Sequence, residues 1–319
     1  MTQTLTRAAN ILMLLLLFIT AAAQPGSDLS DLSVLFSDVK PVPVPVIATF
    51  KTTKLINMHT VEQVKKGELD FRIAHRFDDI AGDNGGITTL FGFDNVGDVR
   101  FQFDYGLTDN VAIGFGRTKG ATSHRQLLDL NAKIKIIQQK TKGMPLSISL
   151  YGMSTFTPMK SSTDSSSVMF FEKNAHRFTS TTQLILARKF SPRFSLQLVP
   201  TYVHRNFVHY TDRNGLFALG IGGRVKFTKR MGLIADYFYT FRNDTQVAGT
   251  KRYNALGLGV EIETGGHVFH LLFSNNRSLT EPQAITENFD TWTKGQFRFG
   301  FNISRVFNVY SPKKKSNNL

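Results

Sequence analysis

The residues able to do chemistry in this sequence are few and scattered. There is no cysteine, which excludes thiolate metal sites, cysteine nucleophiles, iron–sulfur clusters and disulfide frameworks. Eight histidines remain: His59, His75, His124, His176, His204, His209, His267 and His270. None belongs to an HExxH pair. His267 and His270 are three apart in an alternating segment, so on a strand they face opposite sides and cannot chelate together. His204 and His209 lie close to Asp212, a grouping that suits a solvated loop better than a built metal site. A hydrolase would need serine, histidine and acid at one rim. His176 with Ser180, or His204 with its neighbouring serines, does not assemble into that set. The glycine groups around Gly220, Gly222 and Gly223, and at Gly257 and Gly259, sit inside strand-like segments. They are therefore not nucleotide-binding loops, and are read as making lumenal room or easing strand curvature. No catalytic residue, metal or cofactor is expected, and the chain is not expected to be an enzyme.

What remains is charge, and its placement depends on the elements that carry it. Apolar residues recur with period two. Leu69, Phe71 and Ile73 alternate with Asp70, Arg72 and Ala74, and Phe101, Phe103 and Tyr105 with Arg100, Gln102 and Asp104. Leu128, Leu130 and Ala132 alternate with Asp129, Asn131 and Lys133. Leu233, Ala235 and Tyr237 alternate with Ile234, Asp236 and Phe238. Successive strand side chains point to opposite faces, so this pattern sorts one apolar and one largely polar face.

About 12 such segments are predicted: 68–77, 97–107, 110–118, 124–138, 145–157, 175–189, 193–206, 215–227, 231–242, 251–263, 267–274 and 295–308. Most reach the ~9–11 residues of a tilted membrane strand, longer than the mode of ~5–6 in soluble sheets. Short turns such as Leu107–Asn110 and Thr228–Arg230 interleave with long links such as 78–96, 158–174 and 275–294. The link at 119–123 is the weak case. The fold expected is an all-β, closed, antiparallel up-and-down transmembrane barrel with periplasmic short turns and outer long loops.

The polar parity then defines a lumen. Its candidate lining residues are Arg72, Arg100, Asp104, Asp129, Lys133, Lys135, Arg224, Asp236, Arg242, Glu261 and Arg298. A barrel of this size lies between side-chain-filled 8-stranded barrels and open 16-stranded porins. Two readings therefore stay open. One is a mildly anion-favouring passive pore or binding site for a small solute. The other is a plugged structural barrel acting as an assembly or interaction partner.

The run Thr49–Asn57, then His59, Glu62, Lys65-Lys66-Gly67, Leu69–Ile73 and His75–Phe77, resembles the opening of a Bacteroidota-type outer-membrane β-barrel family of unknown function. Tyr105–Asp109 and Gly114–Arg117 resemble its next hairpin. The resemblance implies fold and location. It brings no substrate, cofactor or catalytic residue.

The ends of the chain agree with export. Met1–Asn10 carries Arg7, residues 11–20 are the apolar run ILMLLLLFIT, and Ala21-Ala22-Ala23 follows. This reads as a signal peptide over 1–23, too short for a membrane helix of about 20 residues. Cleavage would lower the formal charge from +14 to +13. Residues 24–46 form a proline-rich leader, 47–67 an extra strand or a plug, and 309–319 a basic tail. Hydrophobic residues at 41% with 19% charged exclude a disordered chain. Trp292, Tyr151, Tyr237 and Tyr239 suit an aromatic girdle and core packing equally. Outer-membrane lipid and lipopolysaccharide are the expected surroundings, with phosphates meeting Lys160, Lys173, His176 and Arg177. The chain carries no nucleic-acid recognition motif, and none is expected as a partner.

The final alternating segment, with Phe301 and Phe307, resembles the signal read by the barrel-insertion machinery. Replacing both by Asp is expected to block assembly into the membrane of a Gram-negative cell. Normal heat-modifiable migration of the double variant on a denaturing gel would refute this.

Overall fold

A computed structural model of the chain describes residues 42–94, 96–120, 124–242, 246–247 and 249–310. The proposed signal peptide, most of the leader and nearly all of the basic tail lie outside the described residues. The strands are β1 (Glu68–Phe77), β2 (Val96–Gly106), β3 (Val111–Lys119), β4 (Gln126–Ile137), β5 (Ser147–Phe156), β6 (Phe178–Lys189) and β7 (Phe194–Arg205). They continue with β8 (Gly215–Lys226), β9 (Met231–Thr240), β10 (Gln246–Val247), β11 (Thr250–Lys251), β12 (Leu256–Glu263), β13 (His267–Ser274) and β14 (Arg298–Asn308). Among the described residues one short α-helix, α1, spans Glu281–Thr286. No helix among the described residues is long and apolar enough to cross a membrane.

Twelve strands form one closed antiparallel barrel in chain order, with β9 pairing β12 and β14 closing onto β1. β10 and β11 form a separate hairpin within the long link after β9. In the closing seam Ile73 lies opposite both Phe101 and Ile303, so β1 is hydrogen-bonded along both edges.

The alternation produces the two faces expected of it. Phe101, Phe103, Phe115, Leu130, Phe217 and Leu233 are exposed on the outside. Their neighbours Arg100, Gln102, Asp104, Asp129, Asn131 and Asp236 are buried within. Large apolar side chains left facing outward around a closed sheet suit a lipid surrounding, where backbone groups must be bonded within the sheet.

Three predicted segments begin three or more residues later than expected, each for a local reason. The segment 251–263 starts at Leu256, because Thr250–Lys251 pairs back onto Gln246–Val247. The segment 175–189 starts at Phe178, after a 3₁₀ turn at Asn174–Arg177. The last strand starts at Arg298, after a turn that Gly295 ends in the left-handed region at φ 71°. β9 stops at Thr240, so Arg242 belongs to the long-loop end and not to the barrel wall. Tyr151 is no girdle residue. It is fully buried and stacks on His59 with ring centroids 4.0 Å apart.

Candidate functional site

The lumen is occupied by the chain itself. Residues 47–67 make no strand in the barrel. They enter at the short-turn end, where the Val46 amide donates to the Gln139 carbonyl (2.7 Å) and Lys189 Nζ to the Ile47 carbonyl (3.1 Å). They fold back on themselves through Leu55 N–H to Met58 O and Thr60 N–H to Thr53 O, both 2.9 Å. They leave by the same mouth, where Gly67 N–H donates to Gly106 O at 2.9 Å. Phe50, Leu55, Ile56, Met58, Val61 and Val64 are buried.

An irregular segment buried this way carries backbone groups that no ladder satisfies. The wall supplies the partners. Asp236 of β9 accepts from the amides of Ile56 (3.0 Å), Asn57 (2.6 Å) and Met58 (3.2 Å), and from Asn57 Nδ2 (2.9 Å). Lys133 of β4 donates to the carbonyls of Glu62 (2.8 Å) and Thr60 (3.0 Å). Gln197 of β7 donates to the His59 carbonyl at 2.8 Å. Arg76 of β1 donates to the Ile56 carbonyl at 3.3 Å. Arg72 reaches Thr53 and pairs with Asp70 at 2.8 Å, while Thr53 Oγ1 donates to the same carboxylate at 3.0 Å.

The other lining candidates lie in separate places on the wall and at its two ends. Arg100 and Asp129 form a buried two-pronged ion pair, 2.5 and 2.9 Å, with Thr118 accepting from Arg100. Asp104 accepts both prongs from Gln102 Nε2. Arg224 pairs with Glu261 and Glu263, both at 2.6 Å, and Glu261 also meets His270 at 3.3 Å. Arg298 is fully buried at the long-loop end, between Asp79 and Asp290, the latter at 2.8 Å. Arg242, beyond the wall, pairs with Asp212 at 3.1 Å and donates to the Thr286 carbonyl at 2.7 Å. Lys135 is half-buried near the short-turn mouth. Phe301 faces outward, stacked on His75, and Phe307 is exposed at the end of β14.

From the opposite mouth, the link after β13 also folds inward. Every residue of α1 is buried. Glu281 reaches the inserted segment, pairing with Lys54 at 2.7 Å and lying 3.5 Å from His59 Nε2. Lys54 also donates to the Leu279 carbonyl at 3.1 Å, and Asn276 Nδ2 to Asn57 Oδ1 at 3.3 Å. The two insertions thus meet inside the barrel.

One half of the lumen is apolar. Tyr151, Met153, Ile185, Val199, Val203, Ile234 and Phe238 pack with the buried side chains of the inserted segment. Parity alone assigns large apolar residues to the lipid face and misses this seat. A signal was available, since β6 carries Leu184, Ile185 and Leu186 in succession. Gly220 and Gly222 face the same seat. A Cβ at Gly222 would lie 2.7 Å from Leu55 and 2.8 Å from Met58, and one at Gly220 would lie 3.0 Å from Met58. Each buried apolar side chain stabilises by about 1.5–3 kcal/mol, more than the net worth of most single hydrogen bonds, about 0.5–1.5 kcal/mol.

Asp236→Ala removes the acceptor of three buried amides, which should loosen the segment by on the order of 2–5 kcal/mol. Trypsin should then cut at Lys54, which is buried in the parent fold. A parental digestion pattern in a variant that still folds would overturn this. His59 gives a pH signature. Burial, reinforced by Lys133, Lys54, Arg72 and Arg100, holds its pKa well below the usual 6.5. Glu281 and Tyr151 complete its surroundings. The unfolded chain binds a proton below pH 6.5 that the folded ring refuses, so stability should fall as the pH drops through that value. His59→Gln should flatten this part of the melting-midpoint series, and an unaltered slope would exclude His59 as its source.

Among solved structures the chain is similar to the NanC porin, at 8% identity over 75% of this chain and 98% of that one, with a TM-score of 0.46. It is also similar to an outer membrane channel from Pseudomonas putida F1, at 13% identity over 77% and 98% of the two chains, with a TM-score of 0.49. No curated protein matches the sequence. A family profile described as "Membrane bound beta barrel domain (DUF5777)" matches residues 50–307, the inserted segment and the whole barrel together. The closed sheet, its outward apolar face and that match make this chain a member of the membrane-bound beta-barrel domain family.

Proposed function

We propose that the protein is an outer-membrane barrel held closed by its own N-terminal segment, and that it passes a small solute only when that segment shifts. The carrying observation is the seat of residues 49–64. Apart from exposed Lys51 and half-buried Glu62 and Gln63, they are buried against the wall, and they meet Glu281 from the opposite mouth. In this reading the short turns face the periplasm, following the usual asymmetry of such barrels. The proline-rich leader then emerges on that side, after export through a cleaved signal peptide. Lipid and lipopolysaccharide surround the barrel, and the insertion machinery reads the strand ending at Phe307.

A second reading has its own support. The wall charges are largely bonded to one another or to the inserted segment, with Arg100–Asp129 and Arg224–Glu261 as buried pairs. A permanently filled structural barrel, serving as an assembly or interaction partner, would have the same interior.

Planar-bilayer recording separates the two. The full barrel should be silent. Deleting residues 49–64 should give conductance steps with a modest anion preference, from Arg72, Arg100, Lys133 and Arg224 on the exposed wall. Conductance in the parent barrel, or silence in a folded deletion variant, would overturn the gated reading.

A further inference from the structure

The long-loop mouth holds a second feature. A cavity of about 70 Å³ opens there, with Gln283, Thr286 and Glu287 at α1 on one side and Leu127, Thr155 and Thr179 of the barrel wall on another. Three arginines from separate elements line it: Arg177 at the start of β6, Arg205 at the end of β7, and Arg252 between β11 and β12.

Two carboxylates, Asp212 and Glu287, also line this cavity, and each has a partner of its own. Asp212 is shared between Arg205 (2.8 Å) and Arg242 (3.1 Å), which hold its pKa below the usual range although burial alone would raise it. Glu287 faces His124 at 3.6 Å. Among the described residues, no carboxylate forms an ion pair with Arg177 or Arg252. Arg177 donates to the carbonyls of Thr157 and Met159 and lies over the Phe171 ring at 4.8 Å. Arg252 donates to the Thr250 carbonyl at 3.1 Å and lies over the Phe289 ring at 4.0 Å. The Nε atoms of Arg205 and Arg252 are buried without a hydrogen-bond partner. An orphaned guanidinium nitrogen in a buried position is costly unless an acceptor reaches it.

We infer that this cavity binds a small organic anion through its carboxylate or phosphate group. Arg252 and Arg177 supply the charge, and the free Nε of Arg205 supplies a third donor. Guanidinium forks match these groups in geometry and hold them by charge-assisted bonds. The volume suits a single anionic group and not a polymer lying flat. The strand residues facing it, Leu127, Thr155 and Thr179, lie on the inward parity of β4, β5 and β6, so the ligand arrives from water and not from the lipid face. The role of the site as the outer entry of a solute path rests on the gated reading above, but the binding itself does not. α1 gives that role a physical link, since it borders the cavity through Gln283 and Thr286 and holds Lys54 of the inserted segment through Glu281.

Calorimetry on the full chain refolded in detergent tests the site, with citrate and inorganic phosphate as probes and glucose as the neutral control. At least one anion should bind saturably and glucose should not. Arg252→Gln and Arg177→Gln should each weaken binding about tenfold, and the double variant should abolish it. Lys229→Gln, in a short turn at the opposite end, should leave it unchanged. Heat-modifiable migration confirms that each variant is folded. Absence of saturable binding in the parent protein, or parental affinity in the folded double variant, would overturn the proposal. Anion binding alongside silent bilayers from the 49–64 deletion would keep the site and sink the gated reading. Conductance from that deletion without anion binding in the parent would do the reverse.

Discussion

Closing β1 onto β14 fixes nearly everything else in this molecule. Once the sheet has no free edge, its backbone can stand in lipid without unpaired amides. Each residue is then committed to one of two sides, and one residue of slip would exchange them. The register that places Ile73 opposite Phe101 and Ile303 therefore sends Arg72, Arg100 and Asn302 inward together. Closure also creates a difficulty, because a ring of twelve strands encloses more space than its own side chains fill.

The chain resolves this with two insertions of different character. The N-terminal segment brings apolar side chains to the β5–β9 side and presents its amides and carbonyls to charged residues of the wall. Asp236 serves the tip and Lys133 the returning arm. Buried charge of this kind contributes little net stability when compared with a well-packed apolar substitute. Its value here is positional, because each charge recognises backbone groups at one depth. The second insertion, α1 with its flanking link, contributes the carboxylate of Glu281, which meets Lys54 where neither group is exposed.

The strands were legible because period two is a local signal repeated in every hairpin, and the inward charges followed from it. Arg100 and Asp129 could be assigned to one face from their neighbours alone. Arg242 could not, because the end of β9 depends on where the following loop turns away. The inserted segment was legible only as two alternatives. Its burial depends on partners such as Asp236 and Asn302, which lie far along the sequence and have no periodic relation to it. Tyr151 shows the same limit. An aromatic ring suits a membrane interface or a packed interior, and only the position of His59 decides between them.

The path of the inserted segment sets how it responds to force. Both its arms reach the same mouth, so tension on the leader peels the segment away and does not shear it. The bonds at Gln139 and Lys189 carry the load first, then Glu62, which accepts from Phe50, then Asp70 and Arg72 at Thr53, and finally Asp236 at the tip. Contacts broken one after another yield to a weaker pull than the same contacts broken at once. An interior that is firmly held by many contacts is thus mechanically soft along one axis, the one along which residues 42–46 leave the mouth.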